Sequence, residues 1–261
     1  MGIVSERWVN LAGAANVRDL GGLPARDGAT TRFGRVLRAD NLQGLTGEDV
    51  DHLVGALGLR EVIDLRTSSE VASEGPGPLA RLDGITIHHC SLLPEAGRRT
   101  DVEAADSVLP TAFPSDPGTW DLTGLHYTHY LSRRPDSVLA ALRAIAYASG
   151  ATVAHCAAGK DRTGVITAMA LSVAGVDRDA IVADYVATGE RLEAVLHRLR
   201  ASPTYAADLD GSSIDEHLPR PEAMQTLLGY LDQECAGPLG WLARHGWTAR
   251  DAEALQTRLL S

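Results

Sequence analysis

The sequence predicts an α/β fold, with several strands in a central sheet and helices packed around it. Three observations predict it. Short apolar runs of buried-strand type alternate with helical periodicities along the chain. The strand-like runs fall mostly in the first half and the helical patterns dominate the second. With 261 residues, 44% of them apolar, the chain can bury a full core, and neither a repeat nor a convincing linker divides it. Residues 1–261 therefore read as a single domain.

The elements follow in order. A glycine turn at Asp27-Gly28 leads into a short strand, TRFGRVLR, at 31–38. TGEDVDHLVGALG is helical: Thr46 and Asp49 form a capping-box start, Val50, Leu53, Val54 and Leu57 repeat at helical spacing, and Gly58 supplies the stop. EVIDL at 61–65 and GITIHHCSL at 84–92 have the composition of buried strands. Residues 94–121, rich in Pro, Gly and Asp, read as a long surface loop. In 136–148, Val138, Leu139, Leu142 and Ile145 share one helical face. ATVAHC at 151–156 is a strand entered from Gly150, and DRTGVITAMALSVAG at 161–175 is an Ala-rich helix ending at Gly175. Residues 177–200 form one long amphipathic helix or two short ones, since Gly189 weakens the middle. The pattern breaks over 201–220. It returns to helix over 221–260, where Pro221, Pro238 and Thr248 mark starts.

Charge and targeting signals narrow the function classes. The net charge of −10 argues against nucleic-acid partners and against binding to anionic membranes through overall charge, although a local basic pocket for an anionic substrate remains compatible with it. The first ten residues carry Glu6 and Arg7 and lack the basic and apolar regions of a signal peptide. No apolar run is long enough to span a membrane, so a cytoplasmic chain without stable membrane insertion is expected, export without a signal peptide staying open. Three cysteines, Cys90, Cys156 and Cys235, fit free thiols in a reducing compartment. Nothing demands more than a monomer.

The chemistry concentrates in AHCAAGKDRTG, 154–164. Cys156 ends a strand and a helix begins a few residues later. The turn of Ala157, Ala158, Gly159, Lys160 and Asp161 is built of small residues and opens a helix, so its free N–H groups can converge on an anion. Arg162 adds a planar fork suited to two phosphate oxygens. Cysteines in such settings titrate at about 3.5–7.5 rather than about 8.5, so Cys156 is expected as a thiolate that attacks phosphorus without a general base. The string is not a nucleotide-binding P-loop. Ala154 stands where that motif needs Gly, and Asp161 where it needs Ser or Thr. Nor is it a zinc site, since no second Cys pair lies at ligand spacing.

HCAAGKDRTG resembles the signature of cysteine-dependent phosphatases, and its Gly-Lys-Asp-Arg form resembles the bacterial tyrosine/serine protein phosphatases, a group similar to dual-specificity and phosphoinositide phosphatases. NVRDLGG at 16–22, VIDLRTSSE at 62–70, RVLRADNLQGLT and the helical tail resemble other parts of that family. The resemblance spans most of the chain, least over 94–135 and 201–220. It implies a cysteine-phosphatase fold with a central, mostly parallel sheet flanked by helices; near 201–220 some members of the family carry a helical lid, and an ordinary solvent loop is the alternative there. It implies hydrolysis of phosphotyrosine, with phosphoserine/threonine or phosphoinositides as further substrates, through a phosphocysteine and without a cofactor or metal. Residue by residue, Cys156 matches the nucleophile and Arg162 the phosphate-binding arginine. The backbone of Ala157, Ala158, Gly159, Lys160, Asp161 and Arg162 matches the cradle. His155 matches the histidine that orders the loop and helps keep the thiol ionised, and Thr163 would hydrogen-bond the thiolate.

The resemblance implies that Asp161 serves as general acid, provided it keeps its proton near neutral pH; an ion pair with Lys160 or a helix N-terminal charge is the structural alternative. No Trp-Pro-Asp string is present. Asp116 and Asp121, flanking Trp120, and Asp64 are weaker candidates for that role. Lys160 either favours multiply phosphorylated substrates or steadies the loop. Arg18, Asp19 and Arg66 read as structural. Cys90 reads as a buried strand thiol, with a protective disulfide to oxidised Cys156 as the alternative. His126 and His129, a His-x-x-His pair, lack a third ligand and suggest no metal. The alternative function is a catalytically inactive phosphate-binding module. A sulfur-transfer or arsenate-reducing enzyme on a similar loop is a third reading, and arsenate reduction would want Cys90 for exchange.

Overall fold

The computed structural model describes residues 7–94 and 121–261. Its centre is a five-stranded sheet of β1 (Arg18–Asp19), β2 (Val36–Ala39), β3 (Leu59–Asp64), β4 (Thr86–His89) and β5 (Ala151–His155). The spatial order is β1-β2-β5-β3-β4. Only the short β1 runs antiparallel, against β2; the other pairs are parallel.

Alternation along the strands sends side chains to two cores. Val62 and Val153 face one, together with Leu37, Ala39 and Leu53. Ile63 and Ala154 face the other, which the helices of the second half fill. The first core is covered by residues 14–17 and by α1 (Gly47–Asp51) with the π-turn His52–Ala56 that continues it. The second face carries α3 (Leu122–Arg133), α4 (Pro135–Ala146), α5 (Asp161–Ala174), α6 (Arg178–Val186), α8 (Pro221–Cys235), α9 (Gly237–Arg244) and α10 (Ala249–Leu259). α2 (Ser68–Glu74) follows β3, and α7 (Leu192–Arg200) lies over the carboxyl end of the sheet.

The start and stop signals act locally as read. Thr46 and Thr248 each close a capping box, and Gly175 ends α5 in the left-handed conformation. Residues 177–200 are two helices, α6 and α7, joined by a 3-10 turn (Ala187–Arg191) that contains Gly189.

Three expectations change. The run 84–92 is not a buried strand: β4 is the last strand of the sheet, Ile87 is 39% exposed, and burial resumes only at Cys90–Leu93. Residues 122–133, left without an element in the sequence reading, form α3, whose Gly124, Tyr127, Thr128 and Leu131 make a buried stripe. Over 201–220 the chain makes turns and two 3-10 segments, Ala207–Leu209 and Ile214–His217, in place of an α-helical lid. Most of the loop expected over 94–121, including Asp116 and Trp120, lies outside the described residues.

Parallel pairing aligns the strand ends that matter. Ala39 and Asp64 both pair with His155, so the carboxyl ends of β2, β3 and β5 stand side by side. The loops leaving them meet at one point, the usual place for a ligand in an open parallel sheet.

Candidate active site

Cys156, the first residue beyond β5, is 2% exposed at the floor of a cavity of about 120 Å³. The loop from Cys156 to Lys160 turns into α5 through Gly159 at φ +66°. A Cβ at Gly159 would stand 2.5 Å from the carbonyl oxygen of Ala39, so only glycine fits there.

The loop is shaped from behind. Asn41 N–H donates to the Ala157 carbonyl (2.9 Å). The Asn16 amide donates to the carbonyls of Ala158 (3.1 Å) and Gly159 (3.3 Å), and Arg38 donates to Gly159 O (2.7 Å). In a trans peptide the next N–H points opposite to the carbonyl, so holding these oxygens outward turns the following N–H groups inward. The amides of Gly159 and Thr163 are directed at Cys156 Sγ, and the Thr163 hydroxyl donates to Sγ at 3.2 Å. Asn16 and Arg38 are in turn fixed by a buried charge cluster. Arg7, Arg18 and Arg38 all donate to Asp184, and Arg18 also donates to Asn16 Oδ1. Arg18 thus does not pair with Asp19, which instead accepts from the N–H groups of Gly21 and Gly34.

Arg162, buried on α5, is held by Glu70. Its two terminal nitrogens donate to the two carboxylate oxygens at 2.8 and 3.0 Å, and Nη1 also reaches the Leu65 carbonyl (3.2 Å). Glu70 is fully buried, caps α2 through Thr67 and accepts from Tyr205 (3.0 Å). Burial opposes its ionisation, but Arg162 and the Thr67 donors outweigh burial and hold the carboxyl below its ordinary value. Sequence reasoning assigned no role to Glu70. Its signal was the capping box of Thr67 and Glu70 in RTSSE, beside the phosphatase-like strand.

The electrostatics of Cys156 differ from the sequence expectation. Burial pushes the thiol above its ordinary value and the Asp161 charge adds to this, against the pull of Thr163 and the Gly159 amide. Glu70 pairs with both terminal nitrogens of Arg162 and so offsets the cation that should favour the thiolate. Burial pushes the His155 imidazole below its ordinary value, against the pull of Asp64, whose Oδ1 lies 3.6 Å away. Asp64 is not available as an acid. Burial disfavours its charge, yet His155 and the fork of Arg66 (2.9 and 2.6 Å) hold it well below the usual carboxylate range. Asp121 accepts from Gly124 N–H as the cap of α3.

Asp161, at the mouth of the cavity, has a side chain 31% exposed. Tyr127 from α3 donates to its Oδ1 (2.5 Å), and Lys160 Nζ lies 3.6 Å from the same oxygen. Lys160 also donates to the His217 carbonyl at 2.9 Å, tying the cradle to the segment above it. That segment covers the cavity with Tyr205, Asp208, Leu209 and His217, while α7 supplies an apolar wall of Leu192, Leu196 and Leu199. Asp208, which sequence reasoning did not single out, is the second carboxylate lining the cavity.

The model of the tyrosine phosphatase family matches residues 9–261, nearly the whole described fold. The chain belongs to the tyrosine phosphatase family. As a family member it is a protein-tyrosine phosphatase, a hydrolase of phosphoric monoesters. Several curated relatives are similar to this phosphatase. A triple specificity protein phosphatase PtpB from Mycobacterium tuberculosis is 32% identical over 210 residues, 72% of each chain. A tyrosine-protein phosphatase from Nostoc commune is 35% identical over 60% of this chain, which spans about half (49%) of that relative. A putative tyrosine-protein phosphatase from Cupriavidus necator is 30% identical over 68% of this chain and 61% of its own.

Other residues singled out in the sequence lie apart from the cavity. Cys90 and Cys156 each follow residues in register with Asp64, on strands two apart. Two strand spacings, about 9.5 Å, exceed the span of a disulfide, so Cys90 cannot bridge to Cys156 without backbone movement. Burial pushes the Cys90 thiol up to about 11. The ring of His126 bonds the Tyr130 hydroxyl at 3.0 Å, and among the described residues no group of three ligand-type side chains gathers around a metal-sized space. No described helix is long and apolar enough to cross a membrane.

Proposed function

We propose that the phosphatase works through a phosphocysteine, with Cys156 as nucleophile, Arg162 and the amides of 157–162 as the phosphate cradle, and Asp161 as general acid. The observation that carries this reading is the convergence on one buried sulfur of the Gly159 and Thr163 amides, the Thr163 hydroxyl and the mouth carboxylate Asp161. In the reactive arrangement the sulfur is an anion among donors and the proton to be transferred is on Asp161. Sγ then attacks phosphorus, the P–O bond breaks, and Asp161 gives its proton to the leaving oxygen. Water, deprotonated by the Asp161 carboxylate, hydrolyses the phosphocysteine. His155, Asp64 and Thr163 support this by packing and hydrogen bonding.

The substrate class follows from the walls. The cavity is narrow and lined by Leu192, Leu196, Leu199 and Leu209 above the cradle, which suits the flat ring of phosphotyrosine. The triple specificity in the name of the mycobacterial relative supports a broader range for this chain, and we include phosphoserine and phosphothreonine, and by the family resemblance phosphoinositides, as further substrates. Lys160 is held by His217 and steadies the loop and its cover. Residues 1–261 act as one domain, and none of these steps needs a second copy of the chain.

Hydrolysis of phosphotyrosine and phosphoserine peptides and phosphoinositides, measured with chelator present, tests the reading. Turnover should resist chelator and vanish in Cys156→Ser. Asp161→Asn should lower kcat/KM by about a hundredfold on phosphotyrosine. Asp208→Asn should change it by less than about threefold, the effect of a rim contact. The reverse ranking would transfer the acid role to Asp208. Ligand binding by the parent protein without turnover would favour the inactive module.

A further inference from the structure

Among the described residues, the side-chain contacts of Asp161 fall on one oxygen, Oδ1. Tyr127, on α3, is 0% exposed, and its hydroxyl donates to Asp161 Oδ1 at 2.5 Å. A phenol has one proton to give. The contact of Tyr127 with the buried Tyr185 hydroxyl, at 2.8 Å, must therefore be donated by Tyr185. A directional chain results, from Tyr185 through Tyr127 to Asp161. Lys160 approaches the same Oδ1. Among the described residues no hydrogen bond is made to Oδ2, and the carboxyl lines the cavity that holds Cys156. Burial pushes the Tyr127 phenol well above its ordinary value, so it stays a donor across the working pH range.

We propose that Tyr127, backed by Tyr185, is the positioning residue for the general acid: it pins Oδ1 so that the transferable proton sits on Oδ2, facing the leaving oxygen. This rests on the reading of Asp161 as acid. As the P–O bond breaks and the S–P bond forms, the Oδ2 proton passes to the leaving oxygen and the carboxyl becomes a carboxylate. The Tyr127 hydrogen bond then meets a full negative charge. Hydrogen bonds to ionised acceptors are about twice as strong as neutral ones, so this one tightens in the transition state and contributes to rate more than to binding. Tyr130 provides an internal comparison. It stacks beside Tyr127 on the same helix, is also buried, and makes its hydroxyl contact with His126 rather than with Asp161.

The test is kcat/KM for a series of aryl phosphates, from 4-nitrophenyl phosphate, whose leaving group needs no acid, to phenyl phosphate, whose leaving group does. Binding of inorganic phosphate is measured alongside. Tyr127→Phe should lower kcat/KM about tenfold for phenyl phosphate, the loss of one charge-assisted hydrogen bond, and less than about twofold for 4-nitrophenyl phosphate. Phosphate affinity should be unchanged. Tyr185→Phe should act in the same direction and more weakly, and Tyr130→Phe should leave the series unchanged. In an Asp161→Asn background, Tyr127→Phe should cost nothing further. Equal losses across the series, weakened phosphate binding, or the full tenfold loss in the Asp161→Asn background would reduce Tyr127 to a packing residue. If Asp161→Asn steepens the leaving-group dependence and Tyr127→Phe does not, the tyrosine assignment fails alone. If Asp161→Asn leaves the dependence unaltered, the acid reading fails and the positioning role with it.

Discussion

At Gly159 one missing Cβ decides whether the loop can close as a cradle. The residue sits at φ +66°, and a methyl group there would press 2.5 Å from the backbone of Ala39 and 2.7 Å from that of Asp40. Neither neighbour is the yielding end of a side chain. Gly159→Ala should therefore leave the sheet folded and push the loop off β2, turning its amides away from Sγ. The expected result is a loss of more than about tenfold in phosphate affinity, from the left-handed conformation alone at about 1–2 kcal/mol plus the displaced donors. Titration with inorganic phosphate would show it, and affinity within twofold of the parent would mean that the cradle tolerates a shift. Arg162 is the opposite case, a residue placed by what it bonds. Its fork is engaged by Glu70, and that carboxylate comes from the first turn of α2.

At the scale of elements, α2, α5 and the cover over the cavity form one connected unit. Glu70 caps α2, holds Arg162 of α5 and accepts from Tyr205 of the cover. Ser202 donates to Glu74 at the far end of α2, and Lys160 donates to the cover at His217. The cover and Arg162, the proposed phosphate-binding arginine, are thus linked through a single carboxylate. Tyr205→Phe removes one bond to that charge, worth about 1.5 kcal/mol, while keeping the ring against Leu192 and Leu196. Substrate analogue release should then be about tenfold faster, with the Arg162–Glu70 pair intact. Stopped-flow dissociation of a bound phosphotyrosine mimic measures it, and an unchanged rate would separate the cover from the arginine.

For the whole molecule, the buried cluster of Arg7, Arg18 and Arg38 on Asp184 joins the first strands to α6 behind the cradle. Burial disfavours the Asp184 charge, but the arginines outweigh it and hold the carboxyl well below its ordinary value. A carboxyl with a depressed folded value stabilises above its unfolded value of about 3.9 and loses that contribution as pH falls through the folded one. Asp64 acts in the same direction. Asp19 and Asp40, pushed up chiefly by burial, act in the opposite direction and soften the start of the decline. Stability should therefore fall below about pH 4, and Asp184→Asn should remove part of that fall while lowering stability at pH 7 by about 3–5 kcal/mol, since Arg18 and Arg38 would remain buried without their counter-charge. Urea unfolding at pH 7, pH 4 and pH 2.5 checks both; an equal decline below pH 4 in the variant would place the titrating groups elsewhere.

The sequence by itself determined the local features: the strand-turn-helix of AHCAAGKDRTG, the capping boxes at Thr46 and Thr248, the stop at Gly175, and the α/β class. Each depends on residues within one or two turns of one another, where propensity, capping and periodicity act directly. It also carried the family, because the cradle string is itself contiguous. Only the tertiary structure decided the rest. The Glu70–Arg162 pair spans 92 positions, and Arg18 reaches Asp184 across 166. Tyr127 meets Asp161 only because α3 packs against α5, and α3 itself lies where the sequence pattern assigns no element. The raised thiol of Cys156 and the lowered imidazole of His155 follow from burial, a quantity set by everything folded around them. Charge state, partner and exposure are properties of packed surroundings, and a linear pattern carries them only where the surroundings are contiguous too.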